Sequence, residues 1–208
     1  MARDRRPITK QSRREGYALH PKSHKIMMKK SSPPGQSNTR GRRGPARLSQ
    51  YGTQLREKQK VKRLYGLLER QFAKLMKEAS GATGKSGEVL IILLERRLDN
   101  VVYRAGFAAS RQAARQLVTH GHFEVNGRRV NVPSIRVSKG DKIAVRARSK
   151  NTDYFKNMEE YTSHIEQPKV GWIKSNPKKY EIEITGDPKR EEAEPDINEQ
   201  LIVEFYSR

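Results

Sequence analysis

The sequence predicts an α+β protein, in which a mostly helical domain holds an inserted module of two helices and an antiparallel sheet behind a basic N-terminal arm. Three observations support this fold class. Apolar residues recur at helical spacing over roughly residues 54–78, which indicates one long amphipathic helix. Two short helical patterns and then a strong hairpin signal, Asn126-Gly127, follow within residues 94–145. Residues 180–184 alternate apolar and acidic side chains, as half-exposed strands do.

Positive charge covers the first three quarters of the chain, and negative charge dominates the last. The 208 residues include 44 Lys and Arg against 23 Asp and Glu, a net charge of +21. Residues 1–50, 51–100 and 101–150 carry net charges of +12, +5 and +9, whereas residues 151–208 carry −5. An excess of this size favours a polyanionic partner. We therefore expect the partner to lie along residues 1–150 and the acidic quarter to face elsewhere.

The residue types that are missing exclude several classes of site. The chain has no cysteine, which excludes disulfides and thiolate metal sites. Its longest strongly apolar run, residues 89–94, is far too short to span a membrane, and the basic N-terminus has no apolar signal core. Neither a catalytic set of nucleophile and base nor a phosphate-binding glycine loop is evident. We expect a cytoplasmic protein that is not an enzyme and that uses no metal, cofactor, small-molecule substrate or membrane.

Residues 1–46 form the predicted basic arm. Basic pairs such as Arg5-Arg6 and Arg42-Arg43 recur there, Pro33-Pro34-Gly35 interrupts any long element, and apolar periodicity is almost absent. Such a segment buries too little apolar surface to order itself well in isolation. The segment is either an arm that becomes ordered when it binds phosphates or a solvated, disordered tail. An arm of this kind can itself be disordered before it binds.

The predicted long helix has two faces. The apolar face is most simply core and comprises Val61, Leu64, Tyr65, Leu68, Phe72, Leu75 and Met76. The basic face lies nearly opposite and comprises Arg56, Lys60, Arg63, Arg70, Lys74 and Lys77. A basic face of this kind is either solvated or in contact with a polyanion.

The second helix of the module carries two arginines on one side. Ser110 is a plausible N-cap for this helix, and Gly121 is placed to end it. Arg111 and Arg115 are four residues apart, so they share one face and repel each other. A chain keeps such a pair more readily when an anion lies between the two side chains.

The acidic quarter and the last helix complete the predicted organisation. Glu191, Glu192 and Glu194 form an acidic loop, which keeps RNA away, meets a basic protein neighbour or is simply solvated. An amphipathic element ends the chain and returns to the helical domain. The predicted domains are therefore the arm at 1–46, a helical domain at 47–93 completed by 195–208, and a module at 94–194 with its core at 94–150 and a strand-rich extension.

The module closely resembles the small RNA-binding module named after the fourth protein of the small ribosomal subunit. Some tyrosyl-tRNA synthetases and RNA pseudouridine synthases also carry this S-four module, whose helices and hairpin present a basic surface to structured RNA. The residues that carry the resemblance are Arg97, Leu98, Asp99, Val102, Arg104, Gly106, Ser110, Arg111, Ala114, Arg115, Gln116, Leu117, Val118, Gly121, Val125, Asn126 and Gly127.

Sequence outside the module extends the resemblance to the bacterial S-four ribosomal protein family. The string LREKQKV at residues 55–61 and the ending NEQLIVEFYS at residues 198–207 are both close to that family, and the module-bearing enzymes do not share the helix at 55–61. The resemblance covers nearly the whole chain and is weakest at residues 4–11, at residues 22–32 and in the acidic loop. Some members hold a zinc ion in the arm through cysteines, which this chain lacks.

The resemblance implies a structural constituent of the small ribosomal subunit. Such a protein binds the 5′ region of small-subunit rRNA as a primary assembly protein. It lies near the mRNA entry path beside the fifth small-subunit protein and other neighbours, and it influences translational accuracy. Two alternatives remain open: an RNA-modifying enzyme that docks through the module, and a stand-alone RNA-binding translation or stress factor.

Charge and resemblance together predict which side chains contact RNA. These are Arg3, Arg13, Arg14, Arg40, Arg43, Arg47, Gln54, Arg56, Lys58, Lys60, Lys62, Arg63, Arg70, Arg104, Arg111, Arg115, Gln116, His120, Asn126 and Arg128.

Overall fold

The computed structural model describes residue 4 and residues 6–30, 32–35, 48–162 and 170–207. Contacts divide the chain into two units, one formed by Met1–Gly87 with Asp196–Arg208 and the other by Glu88–Pro195. The predicted boundaries at residues 46, 93 and 194 stay predictions. Each unit buries apolar side chains of its own.

Helices and short strands make up the described part of the chain, and the predicted α+β class is confirmed. The described helices are α1 (Ile8–Glu15), α2 (Ser23–Lys29), α3 (Gln50–Leu64), α4 (Glu69–Gly81), α5 (Ser86–Glu95), α6 (Leu98–Arg104), α7 (Arg111–Thr119), α8 (Ala147–Lys150), α9 (Asp153–Lys156), α10 (Met158–Thr162) and α11 (Glu199–Tyr206), with a 3-10 turn at Arg190–Glu192. The described strands are β1 (Phe123–Val125), β2 (Arg128–Val130), β3 (Lys142–Val145), β4 (Ile173–Asn176) and β5 (Glu181–Ile184).

The single long helix predicted over roughly residues 54–78 is wrong, because the chain forms α3 and α4 there. The break falls at Gly66, whose φ of 66° lies in the left-handed region that favours glycine. The amide of Leu67 donates to the carbonyl of Lys62 at 2.9 Å, and the amide of Gly66 donates to that of Arg63 at 3.1 Å. These bonds satisfy carbonyl groups at the end of α3 that have no partner within the helix. The apolar stripe continues across the break, which is why periodicity alone did not reveal it.

The first unit is held together by the apolar faces of its helices. Phe72 on α4 and Val61 on α3 are completely buried. Full burial of a phenylalanine stabilises a fold by about 1.5–3 kcal/mol. The last helix, α11, buries Ile202 and packs against α3, with the rings of Phe205 and Tyr51 5.7 Å apart. Asn198 caps α11 by accepting from two amides of its first turn.

Regular structure also occurs in the region predicted as an arm. Helices α1 and α2 pack against each other, and the hydroxyl groups of Ser12 and Ser23 are 3.0 Å apart and buried. Gly16 ends α1 with a φ of 64°. Apolar periodicity missed this pair because polar groups, together with Leu19, form much of the contact.

The second helix of the module, α7, begins and ends as predicted. The hydroxyl of Ser110 accepts a hydrogen bond from the amide of Ala113 at 3.2 Å, which caps α7. Gly121 follows the helix with a φ of 73°. Asn126 and Gly127 both have positive φ, 50° and 75°, as a two-residue hairpin turn between β1 and β2 requires.

Within the described residues, the strands form one antiparallel sheet in the order β2-β1-β3-β5-β4. The register pairs Phe123 with Val145, and Ile143 with Ile182. Because side chains alternate across a strand, these four residues share one face of the sheet. That face packs with apolar residues of α6 and α7 into a buried cluster, which also contains Trp172. The cluster fixes the two helices against the sheet.

Candidate nucleic-acid interface

Four predicted contact residues lie outside the described part of the chain. They are Arg3, Arg40, Arg43 and Arg47. Their RNA contacts stay predictions.

Glu69, which begins α4, binds two lysines of α3. Lys58 and Lys62 each place Nζ 2.6 Å from a different oxygen of the Glu69 carboxylate. The hydroxyl of Tyr206 donates to the same carboxylate at 2.9 Å. Burial alone would raise the pKa of Glu69, but these three donors outweigh burial and hold that pKa at about 2. Both lysines were predicted to contact RNA, yet they are buried and bound to this carboxylate.

The other predicted residues of α3 are also bound within the first unit. Arg56 and Arg63 both donate to Glu15 of α1, whose side chain is fully buried. Lys60 binds the carboxylate of Glu57 at 2.8 Å and a backbone carbonyl at 2.6 Å. The amide group of buried Gln54 donates to a carboxylate of α11 at 2.8 Å. The basic face of α3 therefore binds mainly groups of its own chain, an arrangement the sequence analysis did not foresee.

Burial dominates the electrostatics of the pair formed by Glu15 and Arg63. It raises the pKa of Glu15 and lowers the pKa of Arg63, in spite of their mutual attraction. Oε2 of Glu15 and Nε of Arg63 have no hydrogen-bond partner among the described residues. The ion pair of Glu15 and Arg63 helps to join α1 to α3. Because both side chains are largely buried, they are poorly placed to bind an external phosphate.

In the second unit, Arg104 is at the centre of a buried ion pair. Its side chain is 1% exposed and that of Glu95 is 2% exposed. Nε and Nη2 of Arg104 donate to the two oxygens of Glu95 at 3.1 and 2.9 Å. The Asn100 amide group also donates to Glu95 at 2.7 Å. Arg104 was predicted to contact RNA, but its burial and bidentate pairing give it a role in the fold of the module.

Arg111 and Arg115 each bind a carboxylate of the chain itself. Nη1 of Arg115 donates to Asp99 at 3.1 Å, and Arg97 donates to the same carboxylate. Nη2 of Arg111 donates to Glu194 at 2.8 Å. The predicted anion beside this pair is thus supplied by two separate carboxylates of the chain.

The acidic loop is partly turned toward its own unit. Besides Glu194, Glu192 accepts hydrogen bonds from the backbone amides of Gly171, at 2.7 Å, and Lys189, at 3.3 Å. Glu191 is exposed. Two of the three carboxylates therefore organise the second unit, and the predicted protein neighbour of this loop remains a prediction.

Exposed polar residues remain on the outer side of α7 and on the hairpin. Gln112, Gln116 and His120 are exposed at intervals of four residues, so they share one side of α7 and its end. Arg128 is exposed on β2, as is Asn126 at the turn. Asn126 also closes the turn, because its side chain accepts from the amide of Lys142 and donates to Asp141.

Arg129 of β2 was not among the predicted contact residues, and its side chain lies beside Gly121, which follows α7. A Cβ placed on Gly121 would come within 2.8 Å of Arg129 Nε, so the guanidinium lies directly against this glycine. Arg129 is exposed. The glycine that ends the helix was the available signal, since a missing Cβ leaves room for a long side chain.

His122 lies beside this surface and is less basic than an ordinary histidine. Its Nδ1 is 3.0 Å from the hydroxyl of Ser149, and its ring is 6.0 Å from that of His120. Burial lowers the pKa of His122, and the nearby His120 and Arg146 lower it further. Near pH 7 His122 therefore adds little positive charge to the surface.

A second exposed basic surface lies on α4 in the first unit. Arg70, Lys74 and Lys77 follow one another at helical spacing and are all exposed. Among the described residues, none of the three has a carboxylate partner. In α1, Arg14 is exposed, whereas Arg13 donates to the carbonyl of Ser32 at 3.0 Å. Of the predicted long basic face, only the part on α4 is thus open to solvent.

The described residues contain no group of three or more His, Asp or Glu side chains that could hold a metal ion. They also contain no helix that is long and apolar enough to cross a membrane.

These features define an α+β protein with exposed basic residues on α4 and on a hairpin and with exposed polar residues on α7. Residues 3–95 match the ribosomal protein S4/S9 N-terminal domain, and residues 96–143 match the S4 domain. The chain is 50% identical to the small ribosomal subunit protein uS4 of Roseiflexus castenholzii and 51% identical to that of Chloroflexus aurantiacus, in both cases over 208 residues and the full length of each chain. The protein of the same name from Clostridioides difficile is 46% identical over 214 residues, again over both full chains. This chain belongs to the family of small ribosomal subunit protein uS4, and the resemblance seen in the sequence is confirmed.

Proposed function

We propose that this protein is a structural constituent of the small ribosomal subunit and that it binds small-subunit rRNA directly. Similarity over the whole length to proteins named for that subunit carries the proposal. The net charge of +21 fits a polyanionic partner. An RNA-modifying enzyme or a stand-alone RNA-binding factor is less favoured, because the full-length relatives are named as ribosomal proteins.

The first contact surface is the exposed side of α7 with the hairpin. Gln116 and His120 are exposed on α7, Arg128 and Arg129 are exposed on β2 with side chains that alternate across the strand, and all four offer hydrogen-bond donors. Folded RNA is recognised mainly by its shape, through phosphate and 2′-hydroxyl contacts, and such side chains can make them. The predicted contacts by the buried Arg104 and Arg115 are replaced by a supporting role, in which their ion pairs hold this surface in shape.

The second contact surface is the row formed by Arg70, Lys74 and Lys77 on α4. Helical spacing puts the first and last of these residues about 10 Å apart, at 1.5 Å per residue, a distance that spans more than one phosphate of an RNA strand. The exposed Arg14 on α1 is a further proposed contact residue of this unit. The paired cations of α3 support the second surface from within the unit.

Two charge-matched variants test the first surface. The double variant R128Q/R129Q should bind a transcript of the 5′ region of small-subunit rRNA roughly tenfold more weakly than the unaltered protein, a difference of about 1.4 kcal/mol. Its log-log salt dependence should be shallower by about 0.7–0.9 for each phosphate that the variant no longer binds. The control K178Q/K179Q removes the same charge from the exposed turn between β4 and β5. Equal losses of affinity in both variants would contradict a specific surface and leave only a general effect of charge.

The finer parts of the proposal concern the place of the protein in the subunit. We propose that it is a primary assembly protein at the 5′ region of the rRNA, beside the fifth small-subunit protein and near the mRNA entry path in the cytoplasmic ribosome, with an influence on translational accuracy. Reconstitution of the subunit tests the first part. The protein should bind naked rRNA before any other protein is added, and a requirement for an earlier protein would refute primary binding.

A further inference from the structure

Glu194 belongs to the acidic loop, yet its carboxylate meets the arginines of the module. Its Oε1 accepts a hydrogen bond from Nη2 of Arg111 at 2.8 Å and lies 3.6 Å from Nη2 of Arg104. Only 20% of the Glu194 side chain is exposed. A carboxylate held by two guanidinium groups in a mostly buried place is a fixed part of the structure and contributes little to the charge of the surface.

Arg111 is held by several groups, and the Glu194 carboxylate is one of them. Nε of Arg111 donates to the side-chain oxygen of Asn100 at 2.9 Å, and its guanidinium lies 4.7 Å from the ring centre of Tyr103. Asn100 and Tyr103 belong to α6, whereas Arg111 is the first residue of α7. The Glu194 carboxylate therefore ties the acidic loop to the point where the two helices of the module meet.

We propose that Glu194 is a positioning residue for RNA binding, which raises the affinity of this protein for RNA in spite of its negative charge. By fixing Arg111, it fixes the start of α7 and hence the direction of the exposed residues Gln112, Gln116 and His120. The inference rests on the proposed function, because it takes the exposed side of α7 to be a contact surface for rRNA. A fixed surface loses less conformational freedom on binding than a mobile one.

Simple electrostatics predicts the opposite sign. A carboxylate near phosphates repels them, so its removal should strengthen binding. The same holds if Glu194 occupies the place of a phosphate and competes with RNA for Arg111. The sign of the change in affinity therefore separates positioning from both repulsion and competition.

The test compares E194Q with E191Q. Both substitutions remove one negative charge from the same loop. Glu191, however, is exposed, whereas Glu194 contacts Arg104 and Arg111. With a transcript of the 5′ region of small-subunit rRNA as the probe, E194Q should bind about tenfold more weakly than the unaltered protein, or about 1.4 kcal/mol. E191Q should bind equally well or up to about threefold more tightly. The salt dependence of E194Q should stay unchanged, because the variant keeps the same cations against the phosphates.

A double-mutant cycle with R111Q shows whether Glu194 acts through Arg111. The combined variant E194Q/R111Q should bind no more weakly than R111Q alone, since the two side chains act as one pair. Circular dichroism and the fluorescence of Trp172 must show that each variant is folded at the binding temperature. If E194Q does not fold, E194D replaces it. Because the aspartate side chain is shorter, the E194D variant should bind RNA with an affinity between those of the unaltered protein and R111Q.

The outcomes separate this inference from the proposed function. If the unaltered protein binds the transcript no better than an unrelated RNA of equal length, the proposed function fails. If it binds selectively but E194Q matches or exceeds E191Q, or E194D matches the unaltered protein, only the positioning role of Glu194 is refuted.

Discussion

Replacement of Glu95 by glutamine should destabilise the second unit more than any surface change of equal charge. Glu95 and Arg104 are both almost completely buried, and Glu95 also accepts from Asn100. Glutamine has nearly the same shape, but it removes the bidentate counter-ion of the buried Arg104, which then keeps only the longer contact with Glu194 at 3.6 Å, and it turns one acceptor into a donor. Breaking a buried ion pair by removing one partner costs about 3–5 kcal/mol. Natural domains have a total stability of about 5–15 kcal/mol, so this is a large fraction.

Urea unfolding followed by tryptophan fluorescence measures this cost. Trp172 is the only tryptophan of the chain, and it is buried in the core of the second unit, so its emission reports that unit. With a slope of about 1–3 kcal/mol per M urea, a cost of about 3–5 kcal/mol should lower the midpoint of E95Q by roughly 1–5 M. The matched control is E124Q, because the pair of Glu124 with Arg146 is 3.4 Å long and its side chains are about one third exposed. An exposed pair contributes about 0–1 kcal/mol, so the midpoint should move little.

The double variant E95L/R104M tests the physical reason for the loss of stability. Replacement of a whole buried pair by apolar residues is often neutral or stabilising, by up to about 4 kcal/mol, because no lone charge remains. We therefore expect E95L/R104M to recover most of the stability that E95Q loses. A cost of less than about 1 kcal/mol for E95Q, similar to that of a surface pair, would refute the reasoning.

Three further predictions concern other parts of the fold. The pKa of Glu69, about 2, lies below its ordinary value of 4.5, so the stabilising effect of this carboxylate is complete above pH 4.5 and is lost as the pH falls toward 2. Thermal unfolding followed by circular dichroism should therefore show that the stability of E69Q depends less on acid than that of the unaltered protein. An identical acid dependence in the two proteins would refute this prediction. G121A should lower stability by about 1 kcal/mol or more, because φ is 73° and Arg129 occupies the space of a Cβ, whereas G81A, in a helix with open space, should be neutral or stabilising by about 0.4–1 kcal/mol. E15A should lower the thermal midpoint by several degrees in calorimetry, because Arg63 then loses its buried partner, and an unchanged midpoint would show that α1 adds no stability to α3.

Local signals in the sequence predicted the module well. The serine cap of α7, the glycine that ends it and the Asn126-Gly127 turn each depend on a few neighbouring residues, and each is present in the structure. The same holds for the alternating strand at residues 181–184. These features follow from backbone geometry, which a short stretch of sequence determines without knowledge of distant contacts.

Two features of the fold left no mark on the pattern of apolar residues. The apolar stripe of α3 and α4 keeps its period through Gly66, so the break between the helices left no mark on the pattern. The helices of residues 8–29 likewise lack an apolar stripe, because polar groups supply much of their packing. In both cases the deciding interactions are backbone or polar ones, which the spacing of apolar residues does not record.

The sequence also could not show which of the predicted basic residues are bound within the chain. A row of lysines and arginines on a helix looks the same in sequence whether it faces phosphates or carboxylates of the same chain. Here Glu15 binds Arg56 and Arg63 across more than 40 residues, and Glu194 binds Arg111 across 83. Such carboxylates neutralise the basic residues that support the fold, and we propose that the remaining exposed cations bind RNA. Net charge therefore indicates the class of partner, whereas the ion pairs decide which cations can reach it.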